Sequence, residues 1–215
     1  MEVETRQAIE ALKGGGIVAF PTDTVYGLGA DARNEEAIAR VYRAKERPPT
    51  MALPLLLSHI SQIASVAQGV PDIAWLLAER FLPGPLTLVL HRAPSVPSIL
   101  SGGGDRIAVR VPRHPTPIAL IEGLGHPITG TSANRSGGPS PLTAGDVHLQ
   151  LGGHIDIIVD GGRCPGGVES TVLDLTAQTP TILRQGALPR EEIERVCPVT
   201  TLEEDGHGHS HRLRP

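Results

Sequence analysis

Apolar positions along this chain come in short blocks separated by glycine and proline. Helical spacing opens the sequence over 5–13, and Gly14-Gly15-Gly16 stops it, glycine being the usual residue just past a helix end. Residues 17–20 form a uniformly apolar run closed by Pro21, which predicts a strand. A second strand is expected over 26–32, where Gly27 and Gly29 allow close packing on a neighbour. Asn34 then caps a predicted helix reaching about Lys45. Glu35 and Glu36 lie in its first turn, where the helix dipole favours negative charge. Ile38, Val41 and Tyr42 give it an apolar face, and Pro48-Pro49 end it.

Further along, strands are expected over 53–57, 86–91, 107–111, 128–131, 155–159, 168–175 and 181–183. Between them lie predicted helices over 58–67, 71–81, 117–122, 143–149 and 189–196. Helix and strand alternate, and several strands are apolar throughout rather than at every second residue. That pattern predicts an α/β domain: a twisted mixed, mostly parallel sheet with helices on both faces. No repeat or linker divides the 215 residues, so one domain is expected over 1–198, followed by a loose tail over 199–215. His207, His209 and His211 alternate in that tail without a ligand spacing that specifies a metal.

Composition narrows the function classes. No run of 18 apolar residues exists, and the charged N-terminus lacks the apolar core of a secretory leader. With two cysteines, Cys164 and Cys197, a reduced cytoplasmic setting without membrane insertion is expected. Net charge is −4 and aromatics make up 2% of residues, too few for a platform that stacks single-stranded RNA. The cations nevertheless cluster, at Arg43, Lys45 and Arg47 and again at Arg106, Arg110 and Arg113. There is no Gly-x-x-x-x-Gly-Lys-Ser/Thr, no Gly-x-Gly-x-x-Gly after a strand and no Cys-x-x-Cys. Any nucleotide site must therefore be built from other parts.

The candidate parts are loops at strand ends. Residues 130–141, Gly-Thr-Ser-Ala-Asn-Arg-Ser-Gly-Gly-Pro-Ser-Pro, combine hydroxyls at Thr131, Ser132, Ser136 and Ser140 with Asn134 and Arg135. Two glycines and two prolines make this loop both closely approachable and stiff, which suits an anion such as phosphate, though the same residues also make ordinary turns. Thr22-Asp23-Thr24 sits between two predicted strands and is equally an Asx/ST turn. Lys45 and Arg47 fall at a helix C-terminus, where cations complement the dipole or hold phosphates. Period-two geometry puts Arg106 and Arg110 on one face of a strand, which requires an acid or a ligand as partner. Ser170 interrupts an apolar strand, and Arg184 sits at the end of another. No Ser/His/Asp or Cys/His set is specified.

In order and spacing, these segments resemble the YrdC/TsaC family of threonylcarbamoyl-AMP synthases over about residues 5–190. The segments are Pro-Thr-Asp-Thr-Val-Tyr-Gly-Leu-Gly, Lys45-x-Arg47, Pro-Gly-Pro-Leu-Thr (83–87), Val-Arg-Val-Pro (109–112), Ser-Ala-Asn (132–134), Ser-Thr-Val (170–172) and Leu-Arg-Gln-Gly (183–186). The resemblance implies a mixed sheet around a deep positive cavity. It implies a nucleotidyltransferase that makes threonylcarbamoyl-AMP and pyrophosphate from L-threonine, bicarbonate and ATP with Mg2+. Partner proteins would then pass the group to tRNA, which the enzyme itself would bind weakly. It assigns Thr24, Arg110 and Ser170 to threonine, Arg47, Ser132, Asn134, Ser140 and Arg184 to ATP, and charge stabilisation to Lys45 and Arg47, with no protein-held metal. Two departures stand out: where some members carry polar residues and a histidine near the threonine, this chain has Met51 and Leu56, and it is shorter than the members with a second domain. The competing readings are a non-catalytic module for double-stranded RNA or tRNA, and a carbamoyl-adenylate former like the related domain of hydrogenase maturation factors.

Overall fold

The computed structural model describes residues 2–201. In chain order its elements are α1 (Glu2–Lys13), β1 (Val18–Phe20), β2 (Gly27–Gly29), α2 (Glu35–Lys45), β3 (Leu55–Leu56), α3 (Ile63–Val66), α4 (Asp72–Phe81), β4 (Leu86–His91), β5 (Arg106–Arg110), α5 (Pro115–Leu124), β6 (Ile128–Thr129), β7 (Thr131–Ser132), α6 (Ala144–Leu151), β8 (Ile157–Ile158), β9 (Thr171–Asp174), β10 (Thr181–Arg184), α7 (Arg190–Glu194) and β11 (Thr200–Thr201). Asn34 caps α2 through its side chain, which accepts from Ala37 N–H at 3.1 Å, as expected from the sequence. Thr143 and Asp146 form a reciprocal capping box that starts α6.

The strands form two mixed sheets: a seven-stranded one in the order β11-β10-β9-β4-β5-β3-β6, and a four-stranded one in the order β7-β2-β1-β8. The α/β class is as expected, whereas a single, mostly parallel sheet is not what forms. β4 runs parallel to β9 but antiparallel to β5, and β1 runs parallel to β8 but antiparallel to β2. Short connections such as 21–26 and 175–180 return the chain beside itself, which only antiparallel pairing permits. The stretch expected as one strand over 128–131 is two. Gly130 divides β6, at the edge of the large sheet, from β7, at the edge of the small one. A Cβ on Gly130 would lie 2.2 Å from Leu56 Cγ, so the crossing requires glycine. Thr200 and Thr201, which the sequence placed in the tail, pair parallel with β10. His207, His209 and His211 lie outside the described residues.

Period-two alternation produces a core on each face of the strands. Ile17, Ala19, Leu55 and Leu57 enter a large cluster with α2, α4 and α6, while Val18, Phe20 and Leu56 enter a smaller one beneath α1 and α5. In the large sheet Leu86, Leu88, Leu90, Ile107, Val109 and Leu173 point into the large core. Their alternates are Thr87 on β4, Arg106 and Arg110 on β5, and Asp174 on β9, and the strand registers put all four on the opposite face. That face is where polar chemistry collects. Leu88 is fully buried on the central strand. Leu88→Ala is expected to lower stability by about 2–5 kcal/mol, measured from the urea midpoint at unchanged m-value.

Candidate active site

Two cations of this polar face, Arg110 and Arg184, lie within electrostatic reach of Lys45 and Arg47, and each of the four is held by a main-chain carbonyl. Arg110, at the end of β5, is buried; its Nε donates to Gly84 O at 2.9 Å. Its two other nitrogens donate to Thr24 Oγ1 at 3.0 Å and Asp23 Oδ1 at 2.6 Å. Burial lowers its pKa, and the Asp23 charge opposes that shift. Arg184, on β10, donates from Nη2 to Ser170 O at 2.9 Å and from Nη1 to Glu169 Oε2. Arg47 donates to Ala52 O at 2.9 Å, and its Nε is buried with no hydrogen-bond partner. Its pKa too is lowered by burial. Lys45 donates to the carbonyls of Ser132 and Asn134, the latter at 2.7 Å.

The turn that presents Lys45 and Arg47 is visible in the backbone. Glu46 takes a left-handed conformation (φ 52°), so that the Arg47 N–H caps Tyr42 O at 2.9 Å. The Lys45 side chain is fully buried and donates to protein carbonyls, so it braces residues 132–134. Burial lowers its pKa from 10.5 to about 7, the Arg47 charge adds to the shift, and Glu169 opposes it. Asn134 is likewise committed, donating to Gly138 O at 2.7 Å and so folding the loop back on itself.

The hydroxyls follow the same lines. Thr24 Oγ1 links Arg110 to Thr22 Oγ1, 3.0 Å away. Ser170 Oγ lies 2.8 Å from Thr87 Oγ1. Ser140 Oγ donates to Glu169 Oε1 at 3.0 Å. Glu169 acts electrostatically on Lys45, Arg47 and Arg110, and Arg184 acts on Arg47 and Arg110. Thr24, Lys45, Arg47, Arg110, Ser132, Asn134, Ser140, Ser170 and Arg184 thus form one connected group. Arg106 stands apart, paired with Asp174 at 2.9 Å. Leu56 pairs in register with Arg110, which makes it an apolar neighbour on the same face. Met51 is tied back through its carbonyl, which accepts from the Tyr42 hydroxyl at 2.9 Å.

Three residues bonded to this group carried no assigned role in the sequence: Asp23, Thr87 and Glu169. Each had a signal. Asp23 is the acid that a buried Arg110 requires, Thr87 breaks the alternation of an apolar strand, and Glu169 is the charge beside Ser170. Which acid meets which arginine depends on pairing between residues that are 87 and 15 positions apart.

A family model described as telomere recombination, Sua5/YciO/YrdC, matches residues 10–186. The chain belongs to this family. It is 47% identical over 195 residues to a threonylcarbamoyl-AMP synthase of Pyrococcus abyssi, covering 91% of this chain and 57% of that one. It is 38% identical to a putative threonylcarbamoyl-AMP synthase of Mycobacterium tuberculosis strain H37Rv, covering 89% and 88% respectively. A solved structure of P. abyssi Sua5 complexed with L-threonine superposes with TM-score 0.94 at 43% identity, over 100% of this chain and 64% of that one. The chain thus spans little more than half the length of the first of these synthases. Among the described residues, no helix is long and apolar enough to cross a membrane.

The Lys45 shift has a stability consequence. Between about pH 7 and 10.5 the unfolded chain binds a proton at Lys45 that the folded chain does not. Stability therefore rises with pH across that window, and below it both forms are protonated and the burial penalty is constant. Relative to Lys45→Met, wild type is expected to gain up to roughly 1 kcal/mol per pH unit above pH 7 in urea denaturation. A gap that stays flat from pH 7 to 9 contradicts this account.

Proposed function

We propose that this chain is an L-threonylcarbamoyladenylate synthase, converting L-threonine, bicarbonate and ATP to threonylcarbamoyl-AMP and pyrophosphate. The observation that carries the reading is Arg110 with its neighbours. A buried guanidinium, fixed by Gly84 O, Thr24 and Asp23, faces the side of the sheet that also holds Ser170 and Arg184. Three of its five N–H groups are engaged, which leaves donors for an amino-acid carboxylate. The superposing P. abyssi structure was solved with L-threonine.

The substrates bring their own nucleophiles. The threonine amine adds to CO2 formed from bicarbonate, losing a proton. The carbamate oxygen then attacks the α-phosphorus of ATP, and the bond to the β-phosphate oxygen breaks to release pyrophosphate. The protein positions these groups and offsets phosphate charge through Arg47 and Arg184, while Ser132 and Ser140 donate to oxygens. Lys45 and Asn134 act one step back, holding the loop that carries Ser132. Mg2+ is proposed to arrive on the phosphates of ATP. Asp23 and Glu169 are engaged by Arg110 and Arg184, and among the described residues no three His, Cys, Asp or Glu side chains group as metal ligands. The donor set therefore fits a cation bound mainly by phosphate and water. The product is a mixed anhydride, so an acyl transfer to an amine must consume it. Tied to tRNA, that step belongs to partner proteins in the cytoplasm, with tRNA bound only weakly here.

Pyrophosphate release from ATP is expected only when threonine and bicarbonate are both present; omission of either should abolish it. Arg110→Lys keeps the charge but loses the planar fork, and is expected to raise the KM for threonine at least about tenfold. The KM for ATP should change less than about threefold, and equal effects on both would refute the role given to Arg110.

A further inference from the structure

The carboxylate of Glu169 does not fit the substrate assignments. It sits on two of the five side chains that the sequence assigned to ATP: Oε1 accepts from Ser140 Oγ at 3.0 Å, and Oε2 accepts from Arg184 Nη1. These donors come from separate elements, the stiff loop before α6 and strand β10. A carboxylate that takes one hydrogen bond from a guanidinium and one from a hydroxyl presents the same acceptor chemistry as two oxygens of a phosphate.

We propose that Glu169 is an internal stand-in for phosphate, occupying the Ser140 and Arg184 donors until a phosphate group displaces it. The inference rests on the reading of these residues as the ATP site. Charge balance supports it. Lys45, Arg47, Arg110 and Arg184 gather with Asp23 and Glu169 as nearby carboxylates, and Asp23 is committed to Arg110 Nη2 and to the Arg113 N–H at 3.0 Å. Glu169 is the anion that can leave. Its side chain is 29% exposed and that of Arg184 35%, so water reaches the pair and screens it in part.

Both donors keep their places without it. Arg184 remains anchored by two bonds to Ser170 O, from Nη2 at 2.9 Å and Nε at 3.3 Å. The Ser140 loop is held by Gln150 Nε2 on Pro139 O at 3.0 Å and by Arg135 Nε on Gln150 O at 3.2 Å. Displacement of Glu169 therefore exposes an Nη1 donor and a hydroxyl already in position. The exchange also limits which anions the site accepts, since a weakly held anion does not displace a carboxylate tethered in the same chain.

The test is calorimetric titration of the full chain with inorganic pyrophosphate and, separately, with ATP and Mg2+. Glu169→Gln keeps a similar shape but loses the charge, and is expected to bind pyrophosphate about tenfold more tightly than wild type. Glu46→Gln removes a charge from the neighbouring rim, where Glu46 meets Arg135, and should change affinity by less than about twofold if direct occupancy rather than general charge is the cause. Glu169→Asp, with a shorter reach, should fall between wild type and Gln, and it serves as the readout if the Gln variant melts early. Unchanged or weaker pyrophosphate binding by Glu169→Gln overturns the proposal, as does an equal gain from Glu46→Gln. A wild-type chain that binds pyrophosphate but not ATP sinks the synthase reading instead, and the pyrophosphate comparison still decides the role of Glu169.

Discussion

Four cations held close together, Lys45 and Arg110 buried and Arg47 and Arg184 partly so, are the constraint around which this structure is arranged. Each loses hydration on folding, and each repels its neighbours, so the group is stable only if the protein supplies acceptors. The acceptors are mostly main-chain carbonyls. Gly84 O serves Arg110, Ala52 O serves Arg47, Ser170 O serves Arg184, and the carbonyls of Ser132 and Asn134 serve Lys45. The accepting carbonyls lie largely in the segments joining the helices and strands, so the conformations of those segments and the positions of the charges determine each other.

This mutual dependence explains the tight glycines. A Cβ on Gly186 would lie 2.4 Å from Glu169 O and Ser170 C, and one on Gly166 would lie 2.8 Å from Asp23 O. Main chain stacks directly on main chain at the two places where the site's acids and hydroxyls are presented. With Gly130 passing the chain between the sheets, these contacts fix the loops relative to β4, β5 and β9. For chemistry in which the substrates supply the nucleophiles, such fixed placement of donors is the protein's main contribution.

Much of the architecture was legible in the sequence. The helix that Asn34 opens and Pro48 closes, the buried strands around residues 88 and 109, and the glycine-stopped first helix follow from caps, periodicity and breakers, which act within a few residues of chain. The division into two sheets was not legible. It depends on Gly130 separating β6 from β7 within a stretch that reads as a single strand, and on which strands pair across the short connections. The carbonyl partners of Lys45 were not legible for a related reason, because a lysine at a helix end has the same local sequence whether it points to solvent, ligand or carbonyl.

The sequence alone determined which side chains could carry charge at strand ends, since alternation in β5 puts Arg110 opposite the core whatever surrounds it. It also determined that any nucleotide site would lack a glycine-rich phosphate loop. Only the tertiary structure decided the partners: Asp23 for Arg110, Glu169 for Arg184 and Ser140, and backbone for Lys45. Periodicity is a property of the local chain, whereas the energy of a buried charge depends on which acceptors long-range pairing brings within about 3 Å.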